Sequence, residues 1–180
     1  MAENSSRILM ELESARKTEM AGYYFYTVAA EMVEDSKGRK VFESLAKDEL
    51  QHMTVVATIV DSVSGGLGWI TYDEALAKSE GTEVEPLPIF KEENEMIDRL
   101  NENQTDLNAI QIGIEAEEDA IRFYSDLLKD AATPVEKVVL TTLLEMEKSH
   151  LKLLRWEGES IANEGFWCGN MEFSVEQERD

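Results

Sequence analysis

Leu144-Glu145-Met146-Glu147-Lys148-Ser149-His150-Leu151 sets a Glu and a His three residues apart, with Leu143, Met146, Leu151 and Leu154 around them. The same arrangement stands earlier, in Leu45-Ala46-Lys47-Asp48-Glu49-Leu50-Gln51-His52-Met53. The displacement is common to both members: 147 − 49 and 150 − 52 each give 98, and the chain has only these two histidines. On a helix, positions i and i+3 share a face, so each pair can offer a carboxylate and an imidazole to one ion. The pattern predicts a duplicated helical hairpin enclosing a pair of metal ions.

The repeat reaches further. Glu19, Gly22, Phe25 and Tyr26 map onto Glu117, Ala120, Phe123 and Tyr124, since 117 − 19 and 124 − 26 also give 98. Each half therefore reads E-x-x-(G/A)-x-x-F-Y, then a turn, then E-x-x-H. In an antiparallel pair, residues at one height lie symmetrically about the turn. The midpoint of Glu19 and Glu49 is 34 and that of Glu117 and Glu147 is 132, where turn signals fall. Each hairpin thus levels a Glu with an E-x-x-H, and two stacked hairpins close a box of four Glu and two His.

Periodicity supplies the elements. A first helix is expected over about 6–33, capped by Ser5 or Ser6, with Ile8, Leu12, Ala15, Gly22, Tyr26, Ala29 and Val33 on one stripe and Glu19 inside it. Glu34-Asp35-Ser36-Lys37-Gly38 reads as the turn. A second helix over about 37–63 carries Phe42, Leu45, Glu49, His52, Val56 and Ile59 and ends at Gly65-Gly66-Leu67-Gly68. The third, about 106–131, runs through Ile110, Ile114, Glu117, Ile121, Tyr124 and Leu128. Thr133-Pro134-Val135-Glu136 is a capping box with proline at the first helical position. It opens a fourth helix over about 134–163, through Val139, Leu143, Glu147, His150, Leu154 and Ile161. The connector 65–105 is expected to hold a short helix within 69–79, capped by Thr71 or Asp73, then extended chain at Glu85-Pro86-Leu87-Pro88. An amphipathic helix from Ile89 to Asn103, through Phe90, Ile97 and Leu100, completes it. The tail, 165–180, carries Phe166, Trp167, Met171 and Phe173 and should pack on the bundle or a partner. The expected fold is all-α: a four-helix bundle of two hairpins joined by a long crossover.

Composition narrows the function. A chain of 180 residues is most economically one domain with a real core. The single cysteine, Cys168, excludes an internal disulfide framework and any CxxC motif, which suits a reducing compartment. The N-terminus lacks a basic and then apolar leader pattern, and no apolar run approaches a membrane span. A soluble cytoplasmic protein is expected. The net charge of −21 argues against nucleic-acid and anionic-membrane surfaces. Most of it belongs to solvated helix faces, and a minor part can draw cations towards a buried site.

Carboxylates placed in apolar seams are costly without counter-charge. Two divalent ions would neutralise four of them, with two carboxylates bridging, two terminal and one His per ion. All-oxygen-and-imidazole ligation favours iron or manganese over a thiolate zinc site.

These motifs resemble the ferritin-like superfamily, and most closely its rubrerythrin branch, over about residues 5–163. The resemblance implies a ferritin-like four-helix bundle and two iron ions (manganese or zinc being the other candidates), with Glu19, Glu49, His52, Glu117, Glu147 and His150 as ligands. It further implies an oxidoreductase that reduces hydrogen peroxide or dioxygen, takes electrons from an external donor protein, and forms a homodimer. There are departures. Full-length rubrerythrins add a rubredoxin-like tail with two CxxC pairs, which this chain lacks. They also add a Glu one turn from the third-helix ligand, where this chain has Ile114 or Ala120. The six-ligand set is more similar to that of bacterioferritin, although the tail is no obvious fifth cage helix. An iron-storage or ferroxidase protein, and a metal-free helical scaffold, are the alternative readings. Tyr26 and Tyr124 read equally as hydrogen-bond donors to ligand carboxylates and as plain core tyrosines. Asp48 could orient a histidine, but Met146 at the matching position favours an exposed helix residue. Trp69, Trp156 and Trp167 read as packing residues.

Overall fold

A computed structural model describes residues 2–79 and 94–169, with side chains from Met10 onward. Six helices follow one another: α1 (Ala2–Met32), α2 (Ser36–Ser64), α3 (Tyr72–Ser79), α4 (Glu95–Glu102), α5 (Asp106–Asp130) and α6 (Pro134–Glu164). No strand occurs among the described residues. The four long helices form a ferritin-like bundle in which α1 pairs with α2 and α5 with α6.

The ends of these helices follow from local chemistry. Asp35 caps α2, its carboxylate accepting from Lys37 N at 2.7 Å. The expected turn at 34–38 is therefore shorter, because Asp35 satisfies the first amides and lets Ser36, Lys37 and Gly38 join the helix. Thr133 and Glu136 form the reciprocal capping box at α6, with Pro134 in its first turn. Gly66 and Gly68, at φ of 78° and 82°, turn the chain after α2, and Gly165 at 78° ends α6. Ser5 and Ser6 lie inside α1 and do not start it. In the connector, Thr71 and Glu74 exchange hydrogen bonds at the head of α3. Asn94 caps α4, its Oδ1 accepting from Met96 N and Ile97 N. The expectations for Glu85 to Pro88, Ile89, Phe90, Met171 and Phe173 lie outside the described residues.

Two large apolar clusters fill the bundle, one at each end, and a smaller third joins Met20, Tyr24, Met53 and Ile97. Phe25, Tyr26, Phe42, Ile110, Leu154 and Trp167 belong to the first. Leu12, Val56, Ile59, Tyr124, Val139 and Leu143 belong to the second. The two hairpin turns consequently sit at opposite ends, so the crossover must return along the bundle. At 1.5 Å per residue that is about 40 Å for a helix of this length, which explains why the connector is long. On α5 the buried face is turned from the expected seam: Ala109, Ile112, Gly113 and Ala120 are buried, whereas Ile114, Ile121 and Leu128 are only half-buried. A straight helix of 3.6 residues per turn drifts away from a seam drawn at 3.5.

The tail docks at the first end. Trp167 is buried, packs edge-on against Phe42 at 5.6 Å and donates through Nε1 to Asp106 Oδ2 at 2.7 Å. The wholly buried Glu157 carboxylate accepts from the backbone amides of Cys168 and Gly169 at 2.8 and 2.7 Å. Gly38 makes room for the indole, since a Cβ there would lie 2.3 Å from Trp167 Cε2. Trp69, half-buried, packs against the second cluster as expected, whereas Trp156 is 45% and Phe166 52% exposed. Trp167→Ala should cost about 3–5 kcal/mol in urea unfolding. Gly38→Ala, by displacing the ring, should cost about 1–3 kcal/mol. An unchanged midpoint in both variants would show that the docked tail adds nothing to stability.

Candidate metal centre

Between the two clusters the bundle interior turns polar. Glu19 from α1, Glu49 and His52 from α2, Glu117 from α5, and Glu147 and His150 from α6 are each at most 4% exposed. They form two groups, each of which could hold a metal ion. One is Glu19, Glu49, His52 and Glu147; the other is Glu49, Glu117, Glu147 and His150. Within each group the ligand atoms lie within 4.8 Å of one another. The structure thus brings together all six residues singled out by the repeat.

Glu49 and Glu147 belong to both groups, and their oxygens divide accordingly. Glu49 turns Oε2 towards His52 Nδ1 at 3.5 Å and Oε1 towards His150 Nδ1 at 3.2 Å. Glu147 turns Oε1 towards His52 Nδ1 at 3.3 Å and Oε2 towards His150 Nδ1 at 3.5 Å. Glu19 approaches only His52, at 3.5 Å, and Glu117 only His150, at 3.7 Å. The arrangement is that of two spanning and two end carboxylates. The imidazoles stack at 5.5 Å with 21° between their planes, closing the α2–α6 side. His150 Nδ1 and Glu147 Oε1 are fully buried and make no hydrogen bond. Orphaned polar atoms in a core are costly, and here both face the centre of a donor set that suits two divalent cations.

The outer contacts are crossed between the repeats. The Tyr26 hydroxyl donates to Glu117 Oε1, and the Tyr124 hydroxyl donates to Glu19 Oε1. Burial, and then the neighbouring carboxylates, hold both phenols well above their ordinary pKa, so both remain donors. Both tyrosines, besides being buried in the core, donate to carboxylates of the cluster. Asp48 is not the exposed residue expected: it is 5% exposed, with Oδ2 3.5 Å from His150 Nε2. Its contact lies across the hairpin interface, and comparing it only with Met146 in the other repeat concealed it. Gly113 is a second residue that periodicity passed over. A Cβ there would crowd the Tyr26 hydroxyl at 3.3 Å and Leu154 at 3.1 Å. A signal existed, because 113 − 98 is 15, and Ala15 is the small, buried counterpart on α1.

Protonation follows the crowding. Burial, and then repulsion from Glu147, raise Glu49 well above the carboxylate range and Glu117 to about 7. For Glu147 burial acts in the same direction, but the two imidazoles beside it, His150 and His52, outweigh it and hold its pKa low. For His150 burial favours the neutral ring, and Asp48, Glu117 and Glu147 overcome it and raise the pKa. Protons therefore occupy the centre when cations do not. Tyr26→Phe removes the donor to Glu117 and should weaken metal binding at the His150 side about 10–100-fold, measured by competition with a chelator. Equal affinity in the variant would reduce Tyr26 to packing.

A slot leads from solvent to the carboxylates on the side away from the histidines, between α1 and α5, with a volume of about 400 Å³. Gly22 lies against Glu49, where a Cβ would be 3.4 Å from the carboxyl carbon. Met96 of α4 lines the same slot. It is held there by Asn94, whose Nδ2 donates to Ala21 O at 2.9 Å and whose Oδ1 accepts from Met96 N at 3.0 Å.

Fold and centre together define a helical bundle with a buried cluster of four carboxylates and two histidines suited to metal. The rubrerythrin family profile matches residues 11–157, and the chain belongs to the rubrerythrin family. No curated protein and no solved structure matches it. Among the described residues no helix is long and apolar enough to cross a membrane.

Proposed function

We propose that this chain is a rubrerythrin-like di-iron oxidoreductase that reduces hydrogen peroxide or dioxygen by two electrons, supplied by an external donor protein. The observation that carries the reading is the pair of donor groups sharing Glu49 and Glu147 behind a slot open to solvent. Two bound iron ions would supply the redox chemistry, each changing by one electron.

The protein's part is placement. Glu49 and Glu147 would be shared by the two ions, with Glu19 and His52 holding one and Glu117 and His150 the other. Tyr124 holds Glu19 Oε1, leaving Oε2 to face His52, Tyr26 holds Glu117 Oε1, and both keep their phenol protons. Asp48 lies beside His150 Nε2 and orients the ring so that Nδ1 faces the centre. The apolar clusters above and below exclude water from the two ends of the centre, and the slot opens at its side. Protons for the reduced oxidant come from solvent through its mouth. The same reading takes the protein as a cytoplasmic homodimer and admits manganese or zinc in place of iron.

Iron as substrate is the second reading, favoured by the carboxylate floor of the slot and the charge of −21. Anaerobic addition of peroxide to the iron(II)-loaded protein separates the two. Stoichiometric oxidation that repeats after re-reduction, with no further iron taken up, is the expected result. Continued iron uptake into a large assembly would establish storage, and failure to bind metal would leave a helical scaffold.

A further inference from the structure

The slot is far larger than the oxidants named above require. Hydrogen peroxide has about twice the bulk of water and fills a space on the order of 60 Å³. The slot holds about 400 Å³, within the range of sites built for organic ligands. Its construction is graded. Ser14, Lys17 and Asp119 form an exposed rim, and Glu19, Glu49, Glu117 and Glu147 form the floor. Between them the walls are Thr18, Ala21, Gly22 and Tyr26 of α1, Ala116 and Ala120 of α5, and Met96 of α4. The four small residues among them, Ala21, Gly22, Ala116 and Ala120, leave the space that larger side chains would have filled, as the stacked imidazoles fill the opposite side. Met96 is an adaptable thioether held at the slot by the Asn94 anchor. A passage serving only peroxide or dioxygen needs no apolar chamber of this size.

Building on the peroxidase reading, we propose that the slot accommodates organic hydroperoxides, ROOH, with the peroxy end at the carboxylate floor and a compact apolar R group between Met96, Ala116 and Ala120. The O–O bond breaks, ROOH takes up two electrons and two protons, and ROH and water leave. The electrons are those of the two iron ions, later replaced by the external donor, and the protons come from solvent at the rim.

The test uses cumene hydroperoxide as substrate and its product alcohol, 2-phenyl-2-propanol, as a binding probe. The iron(II)-loaded protein should be oxidised by cumene hydroperoxide as well as by hydrogen peroxide. The redox-inert zinc-loaded protein should bind the alcohol in ligand-observed NMR. Met96→Trp, which fills the wall from α4 without touching a helix that bears the carboxylates, should lower the rate ratio of cumene hydroperoxide to hydrogen peroxide by at least about tenfold. It should also abolish alcohol binding with metal content unchanged. Ala116→Leu narrows the slot from α5 and serves if the first variant fails to fold. Oxidation by hydrogen peroxide alone, or alcohol binding that persists in a correctly loaded variant, would overturn the inference while leaving the peroxidase reading intact. Oxidation by neither peroxide would overturn both.

Discussion

Glu147→Gln should leave the protein unable to hold either metal ion, whereas Glu19→Gln should cost it only one. Glu147 and Glu49 belong to both candidate metal positions, each carboxylate directing one oxygen towards each histidine. Glu19 belongs to the His52 group alone and Glu117 to the His150 group alone. An amide is nearly isosteric with the carboxylate but supplies no negative charge and cannot span two cations through two equivalent oxygens. The loss at Glu49 or Glu147 should exceed the roughly 10–100-fold that removal of an outer contact costs. Metal analysis after dialysis should return two ions per chain for the wild type, none for the Glu49 and Glu147 variants and one for the Glu19 and Glu117 variants. Helical circular dichroism should be unchanged throughout. Equal retention in all four variants would mean that the cluster is not organised around shared carboxylates.

The second large effect is on stability, and it reverses with metal. In the metal-free protein the Glu117 pKa is raised from 4.5 to about 7, chiefly by burial. Between those values the folded state keeps a proton that the unfolded chain has released, so stability falls as pH rises through the window. Glu49 and His150 are raised too and act in the same direction. Glu147 is lowered, so its contribution changes only below the ordinary carboxylate pKa. The metal-free Tm should therefore decline from about pH 5 to pH 7. Glu117→Gln, which removes one of the titrating groups, should make the decline shallower. Cations displace these protons, so metal affinity rises over the same range. At a free metal concentration a thousand times Kd, loading adds about 4 kcal/mol, or roughly 10 °C in Tm for a domain of this size. Calorimetry in chelator and in manganese at two pH values checks both slopes. A metal-free Tm that climbs with pH, or loading that shifts nothing above pH 7, would remove the premise that protons and cations compete for one centre.

Much of this architecture can be read from the chain because it is written twice. The 98-residue displacement aligned six polar residues and two tyrosines before any helix was placed, and the levelling about positions 34 and 132 put them at one height. The observed caps, Asp35 and Thr133, stand beside those midpoints. Comparing halves also misled where the halves differ. Asp48 faces His150 of the other hairpin, and a comparison of like positions carries no information about which hairpin each will touch. The seam drawn on α5 holds at Ile110, Glu117 and Tyr124 and is only half-buried at Ile114, Ile121 and Leu128, since periodicity gives a helix face but not its rotation against three neighbours.

The sequence by itself determined the bundle, its two hairpins and the six residues that meet at its centre. These rest on helical period, capping chemistry and repetition, all of which act along the chain. Only the tertiary structure decided which carboxylates are shared and which tyrosine serves which carboxylate. It also decided that the two imidazoles stack on one side of the centre while a slot opens on the other, beside α1 and α5. Those are relations between helices, set by the size of side chains such as Gly22, Gly113 and Ala120 where two elements approach. Packing distances of that kind exist only once the elements have met.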